Sequence, residues 1–347
     1  MSELPKGGGF LFSATDPMSI FTVEDFNEEH KLVYQTARKF MDDKILPRLE
    51  EWDNDKMMNK EVALLAGELG LLGTDAPEEY GGYAMDKICT TIVAENMGRS
   101  GSMCMFHGGQ TGIGQLPLVF FGTHEQRAKY LPGVVAGKTI IAYALTEPGA
   151  GSDALAAKTW ARLSEDGKHY VLNGTKQFIS NAGFADHFIV FAKVDREKFT
   201  CFIVDANTEG LSTGPEEHKM GLKGSSTRTV ILEDVKVPVE NLLFEVGKGH
   251  VVAFNILNMG RVKIAANCIG MGKLALELSV QFANDRKQFG KSISEFGLIK
   301  EKLASMAARI YALESMVYRT GGMIEEILHI QPNYPILVGQ DSANAIE

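Results

Sequence analysis

His169-Tyr170-Val171-Leu172-Asn173-Gly174-Thr175-Lys176-Gln177-Phe178-Ile179-Ser180 is the stretch that decides the fold class. Residues 169–172 are rich in aromatic and branched side chains and read as a strand. Asn173-Gly174 tolerates positive φ at both positions and predicts a two-residue hairpin turn. Working outward, residues 188–194, 200–205 and 228–232 repeat the pattern and read as further strands. Residues 140–246 are therefore expected to form a mostly antiparallel, β-barrel-like domain. No Gly-rich loop leads from a strand into a helix, so the dinucleotide-binding fingerprint is absent and any nucleotide cofactor must be held differently.

The flanks have another character. Residues 1–139 predict an N-terminal helical domain. Thr22 reads as a helix cap with Asp25 three residues on, and Phe26, His30, Val33, Ala37 and Phe40 follow at near-helical spacing. Pro47 bends or ends that helix. A second helix over 62–69 stops at Gly70, Pro77 to Gly82 reads as a loop, and a third over 89–97 ends at Gly98. The first residues, 1–12, are Gly-rich and read as a loose tail with no targeting pattern. From residue 247 the chain is helical again over 251–285 and 292–330. In the latter, Leu298, Leu303, Met306, Ile310, Leu313 and Val317 recur on one face. Helices this long need a bundle. Pro332 and Pro335 break the second, and Asp341 or Ser342 reads as the cap of another that residue 347 cuts short. The expectation is an α+β multidomain chain with an incomplete C-terminal bundle over 247–347, whose natural form continues.

Composition narrows the function. A formal net charge of −9 argues against a nucleic-acid binder, which needs a basic face. Cys89, Cys104, Cys201 and Cys268 form no CxxC pair, so neither a zinc site nor a redox dithiol is expected, and the pattern suits a reducing compartment such as the cytoplasm. His107 and His124 stand in no HxxxH or HExxH pairing, so no metal centre is expected. No run of about 20 apolar residues appears, so no spanning helix is expected.

Four segments, in this order, resemble the acyl-CoA dehydrogenase family: Ala142-Tyr143-Ala144-Leu145-Thr146-Glu147-Pro148-Gly149-Ala150-Gly151-Ser152-Asp153; residues 173–183 (NGTKQFISNAG); Asn258-Met259-Gly260-Arg261; and Asp285-Arg286-Lys287-Gln288-Phe289-Gly290. The resemblance implies an FAD-dependent enzyme that oxidises fatty acyl-CoA thioesters to trans-2-enoyl-CoA in β-oxidation and passes electrons to an electron-transferring flavoprotein. It implies that Tyr143, Leu145, Thr146, Gly151 and Ser152 meet the flavin, with Ser152 also near the pantetheine arm. Phe178 and Ser180 match an aromatic-x-hydroxyl pair beside the flavin, where many members carry Trp for Phe178. Arg286 would reach the FAD of a neighbouring subunit, with Phe289 at the adenine end, which implies a homodimer or homotetramer. Asn258 and Arg261, one helical turn apart, would line the acyl-CoA channel. Residues 295–306 look like the long- to very-long-chain branch, whose C-terminal extension associates with membranes.

The same resemblance exposes a gap. The family's catalytic Glu lies in a late EGT-like segment or just before the Arg of the third motif. No such segment occurs before Glu347, and the second position is Gly260. Glu147, Glu277 and Glu295 remain, with Glu147 expected to stabilise its own loop. The base is thus expected beyond Glu347, and the 347-residue form is expected to be nearly inactive. Alternative readings are an acyl-CoA oxidase or flavin monooxygenase on the same scaffold, a catalytically silent flavin- or CoA-binding fragment, and a purely structural helical bundle.

Overall fold

The computed structural model describes residues 20–55 and 57–330. The expected tail over 1–12, the prolines at 332 and 335 and the cap at 341–342 lie outside them. Six helices come first: α1 (Glu28–Phe40), α2 (Lys60–Glu68), α3 (Lys87–Met97), α4 (Gly101–Gly108), α5 (Leu116–Phe121) and α6 (His124–Val135). Thr22 and Asp25 do form a capping box, but on a single 3-10 turn, and α1 itself starts at Asn27, whose side chain accepts from His30 N. Pro47 sits in the first turn of a short 3-10 segment. A π-helical stretch, Gly109–Gly114, links α4 to α5.

The middle of the chain is an eight-stranded sheet: β1 (Ile141–Ala144), β2 (Trp160–Leu163), β3 (His169–Ser180), β4 (His187–Val194), β5 (Lys198–Asp205), β6 (Leu211–Glu216), β7 (Thr227–Pro238) and β8 (Leu242–Leu243). Its order is β6-β7-β3-β2-β4-β5-β8, with β1 also on β4. Inward side chains, among them Leu172, Phe188, Val190, Phe202, Val230 and Val235, form one buried cluster. The expected mostly antiparallel β domain is present, and it does not close into a barrel: no pairing joins β6 to β8 among the described residues. A separate irregularity lies in the middle of the sheet. β1 and β2 share one edge of β4, parallel to it: β1 takes His187 to Val190, and β2 takes only Lys193 and Val194. The loop between them leaves the sheet at this edge, and it is the segment that carries the first family motif.

Asn173-Gly174 is not the hairpin turn. It lies inside β3, where pairing with β7 shifts register between Leu172 and Gly174. Asn173 donates to Asp234 Oδ1 (2.9 Å) and accepts from Asp234 N (3.0 Å), so the pair stitches a β-bulge. The hairpin joining β2 to β3 is at Asp166-Gly167 instead. Gly167 has φ +68°, and Asp166 accepts from Ser164 Oγ and Lys168 N. Both dipeptides fit either role locally, and long-range pairing decided between them.

Two long helices follow: α7 (Gly249–Asp285) and α8 (Gly297–Ile330). Between them a two-residue hairpin joins β9 (Lys287–Gln288) and β10 (Lys291–Ser292). The fully buried α3 is wedged against both. Gly98 and Gly270 let the backbones of α3 and α7 touch: a Cβ on Gly98 would lie 2.0 Å from Asn267 O, and one on Gly270 would lie 1.8 Å from Glu95 O. At the same crossing Glu95 accepts from Lys273 Nζ (2.7 Å) and from Tyr318 Oη (2.6 Å), joining α3, α7 and α8. No described helix is long and apolar enough to cross a membrane.

Gly270→Ala tests the crossing. Alanine is intrinsically the better helix former by about 1 kcal/mol, but here its methyl meets a backbone carbonyl that cannot yield. Overpacking of about 1–3 kcal/mol or more is expected to win. A thermal melt should show a lower midpoint, and an unchanged or raised midpoint would refute the close approach.

Candidate active site

The loop that leaves β1 is held from below by one buried ion pair. Lys176 points inward from β3, fully buried, and donates to Glu147 Oε1 (2.7 Å) and Leu145 O (3.2 Å). Glu147 also accepts from Lys158 N (2.6 Å) and Thr159 N (3.0 Å). Its backbone closes a two-way bridge with Ala150. The two ends of the loop and its tip therefore converge on one carboxylate. Burial by itself would raise the Glu147 carboxyl, but the Lys176 charge and these hydrogen bonds outweigh it and hold the group below the ordinary carboxylate range.

Above this anchor, Thr146 O accepts from Gln177 N (2.9 Å), which sets the loop beside the end of β3. There the ladder slips again, between Lys176 and Ile179. Phe178 sits in the slip at φ +59° and is 58% exposed. A non-glycine residue at positive φ is uncommon and marks strain. Here that strain turns a large apolar ring away from the core. Ser180 and Thr146 are half-buried, Gly151 and Ser152 are exposed, and a Cβ on Gly149 or Gly151 would meet nothing within 4 Å. Asn181, also at positive φ, is buried with Nδ2 donating to Phe106 O (3.0 Å), and its Oδ1 has no partner among the described residues. Tyr143 and Leu145 differ: both side chains are in the core, and Tyr143 donates to Ala253 O (3.4 Å) on α7. Only their backbone could meet a ligand at the loop.

On α7, Arg261 donates to Asn258 Oδ1, and both face outward. Gly260 lies between them. Arg286 and Phe289 are elsewhere. Arg286 caps the far end of α7, a helix of 37 residues and so about 55 Å long. Phe289 and Gly290 form the hairpin tip at φ +52° and +80°, with Phe289 92% exposed. Within one chain, the Gln177 N–Thr146 O bond sets Thr146 beside the end of β3 that carries Phe178 and Ser180, Ser152 follows on the same loop, and Arg286 and Phe289 lie past the C-terminal end of α7. The remaining carboxylates are engaged: Glu277 with Arg99 and Arg38, and Glu295 in a capping box with Ser292.

Sequence reasoning missed Lys176, Asn181 and a cleft behind the loop tip. The cleft, about 440 Å³, is lined by Pro148, Gly149, Lys158, Trp160, Asn173 and Arg196. The Arg196 guanidinium lies 4.7 Å from the Trp160 ring centre. The one available signal for Lys176 was its position: a lysine at an inward place on a strand requires a buried carboxylate. His30, Asp86 and Cys89 also approach one another. There His30 accepts from Asn27 N and donates to Asp86, and burial raises the Cys89 thiol, so the cluster is a helix cap.

Comparison with known proteins agrees with the helical, β, helical order of the fold. Models for the acyl-CoA dehydrogenase N-terminal, middle and C-terminal domains match residues 27–138, 142–235 and 247–334. The chain belongs to the acyl-CoA dehydrogenase family. It is 53% identical over 327 residues to a probable acyl-CoA dehydrogenase of Bacillus subtilis, covering 94% of this chain and 55% of that protein. It is 38% identical over 306 residues to the Caffeyl-CoA reductase-Etf complex subunit CarC of Acetobacterium woodii, covering 86% of this chain and 80% of that subunit. An acyl-CoA dehydrogenase from Bacillus anthracis, solved in complex with FAD, superposes with a TM-score of 0.91 at 53% identity, covering 92% of this chain and 55% of the other. The chain thus spans about half the length of the two Bacillus relatives.

Glu147→Gln removes the counter-charge of a fully buried lysine and is expected to cost about 3–5 kcal/mol in urea unfolding. Glu147→Gln with Lys176→Met should recover much of that loss, since a neutral pair carries no stranded charge. The cost is also pH-dependent. Glu147 titrates near ~4.3 when unfolded and lower when folded, so its contribution is full above that value and disappears as pH falls through the folded one. A single-variant loss that stayed constant down through that range would exclude the ion pair.

Proposed function

We propose that this chain binds FAD and an acyl-CoA thioester and contributes the site of an acyl-CoA dehydrogenase. The outward, positive-φ ring of Phe178 beside the Thr146–Ser152 loop carries this reading. It is a strained apolar surface with hydroxyls on either side and bare glycine backbone opposite. A flat, polar-edged ring system fits that chemistry. The relative solved with FAD supports it. FAD, when bound, supplies the acceptor for the hydride that leaves the substrate β-carbon.

The chain's own residues divide the remaining work. Phe178 packs against the cofactor ring, Thr146 and Ser180 offer hydroxyl donors, and Gly151 leaves the backbone N–H of the loop accessible. Asn258 and Arg261 line the thioester side from α7. The cleft behind the loop takes the polar end of the coenzyme: Arg196, held over Trp160, and Lys158 present cations suited to phosphate. Arg286 and Phe289, at the far end of α7, serve the cofactor of a second copy of the chain, so the functional unit is a homo-oligomer. The α-proton still needs a base. Glu147 is consumed by Lys176, Glu277 and Glu295 are engaged elsewhere, and Gly260 has no side chain. We therefore assign the base to a carboxylate outside residues 20–330. Transfer of electrons to an electron-transferring flavoprotein, and preference for long acyl chains, are part of the proposal; the Etf-complex relative supports the first.

Reconstitution with FAD tests the reading. The parent should become yellow, and Phe178→Ala, Ser180→Ala and Arg286→Ala should each weaken flavin retention roughly tenfold. Acyl-CoA added anaerobically should perturb the flavin spectrum without bleaching it. Fast stoichiometric bleaching would show that a base is present after all, and failure to take up FAD would defeat the whole assignment. Arg196→Ala should weaken binding of acyl-CoA but not of the matching acyl-pantetheine, which lacks the phosphates.

A further inference from the structure

Two left-handed residues bracket Ser180: Phe178 at φ +59° and Asn181 at φ +64°. Neither is glycine, so each carries backbone strain. Strain of this kind persists only where the surroundings over-determine it, and the ties that do so converge on Asn181. Its N donates to Ser226 O (3.0 Å), and its O accepts from Phe184 N (3.0 Å). Gly183 N donates to Ser226 Oγ (3.0 Å), which in turn donates to Glu216 Oε1 (2.7 Å). All of these bonds stay within the β domain. The Asn181 side chain leaves it: Nδ2 donates to Phe106 O (3.0 Å), near the end of α4.

The helical domain leaves room for that amide. Three residues past Phe106, at Gly109, the helix changes from α to π geometry. A Cβ on Gly109 would lie 2.7 Å from Asn181 Nδ2. Asn181 is 0% exposed, so its amide has no solvent to swing into. Its Oδ1 finds no partner among the described residues, and an unmet buried acceptor is costly. Glycine would take the same φ without that cost. What glycine lacks is the donor to Phe106 O.

We propose that Asn181 is a positioning residue for the cofactor. By tying the end of β3 to α4, it fixes where Ser180 and the outward ring of Phe178 stand relative to the helical domain. This rests on the reading that those two groups meet FAD. Asn181 itself is wholly buried and acts through them. Asn181→Gly keeps the left-handed backbone and removes the tie. FAD binding to this variant, followed by titration, should weaken about tenfold, and the absorption maximum of the bound flavin should shift toward that of free flavin. Asn181→Asp keeps the shape but sets an acceptor against Phe106 O, and should lose at least as much. Gly109→Ala leaves Asn181 in place and presses on its amide from the α4 side. It should move affinity and spectrum in the same direction, and it decides the matter if Asn181→Gly does not fold. Gly270→Ala, at the α3–α7 crossing, lowers the melting midpoint without touching this tie and should leave FAD affinity and spectrum as in the parent. Parent affinity and spectrum in Asn181→Gly, or an equal loss in Gly270→Ala, would overturn the inference while the site reading stands. If the parent takes up no FAD, the site reading fails and takes the inference with it.

Discussion

A charge placed inside a sheet must be answered where it stands, and the Lys176–Glu147 pair is that answer in this chain. Lys176 is fully buried, and an unpaired ammonium there would cost several kcal/mol. The carboxylate that answers it comes from the middle of a loop with little regular structure of its own. Two backbone donors, Lys158 N and Thr159 N, then use the same carboxylate, so the loop has one arrangement that satisfies everything and no neighbouring arrangement that does. Rigidity at the candidate site is thus a by-product of desolvation. It does not come from the loop sequence, which is small and glycine-rich.

The second constraint is the α3–α7 crossing. Contact at Gly98 and Gly270 fixes the height of α7 against the helical domain, and the Glu95–Lys273–Tyr318 bonds fix its rotation. The same rotation turns Lys263 inward to Asp75 and leaves Asn258 and Arg261 outward. Since residues three and four apart share a helix face, a slip of one residue at the crossing would exchange these roles. The outward Asn258–Arg261 pair and the buried Lys263–Asp75 pair are therefore two consequences of one register.

Much of this was legible in the sequence, for identifiable reasons. The α, β, α division follows from hydrophobic period, and the long helices begin and end close to their predicted places because no proline interrupts them. Local chemistry was ambiguous where tertiary pairing decides. Asn173-Gly174 has the composition of a turn but serves as a bulge, because β7 offers Asp234 opposite it. The expected β domain is present, but its opening between β6 and β8 was not legible, since the order of strand pairing leaves no trace in residue period. Around the candidate loop, Thr146, Ser152, Phe178 and Ser180 are candidates that the motifs alone supply. Lys176, Asn181 and the Lys158–Arg196 cleft could not be named, because each depends on a partner far away in sequence. Tyr143 and Leu145 show the converse: motif position names a residue without saying which way its side chain points.

The hairpin after α7 completes the physical picture. Phe289 is almost fully exposed, at positive φ, on a turn stiffened by Gly290 and by the ring of Phe296 6.2 Å away. Apart from that edge contact, a large apolar ring stands in water at the end of a helix about 55 Å long. The exposed Ile264, Met271, Leu278 and Phe282 continue along α7 toward it, at helical spacing that places them on one stripe. Exposed contiguous apolar surface of this kind marks an interaction face. On the proposed reading the stripe and the tip belong together. On that reading, helix pairing along the stripe would bring Arg286 and Phe289 toward the sheet of a second copy.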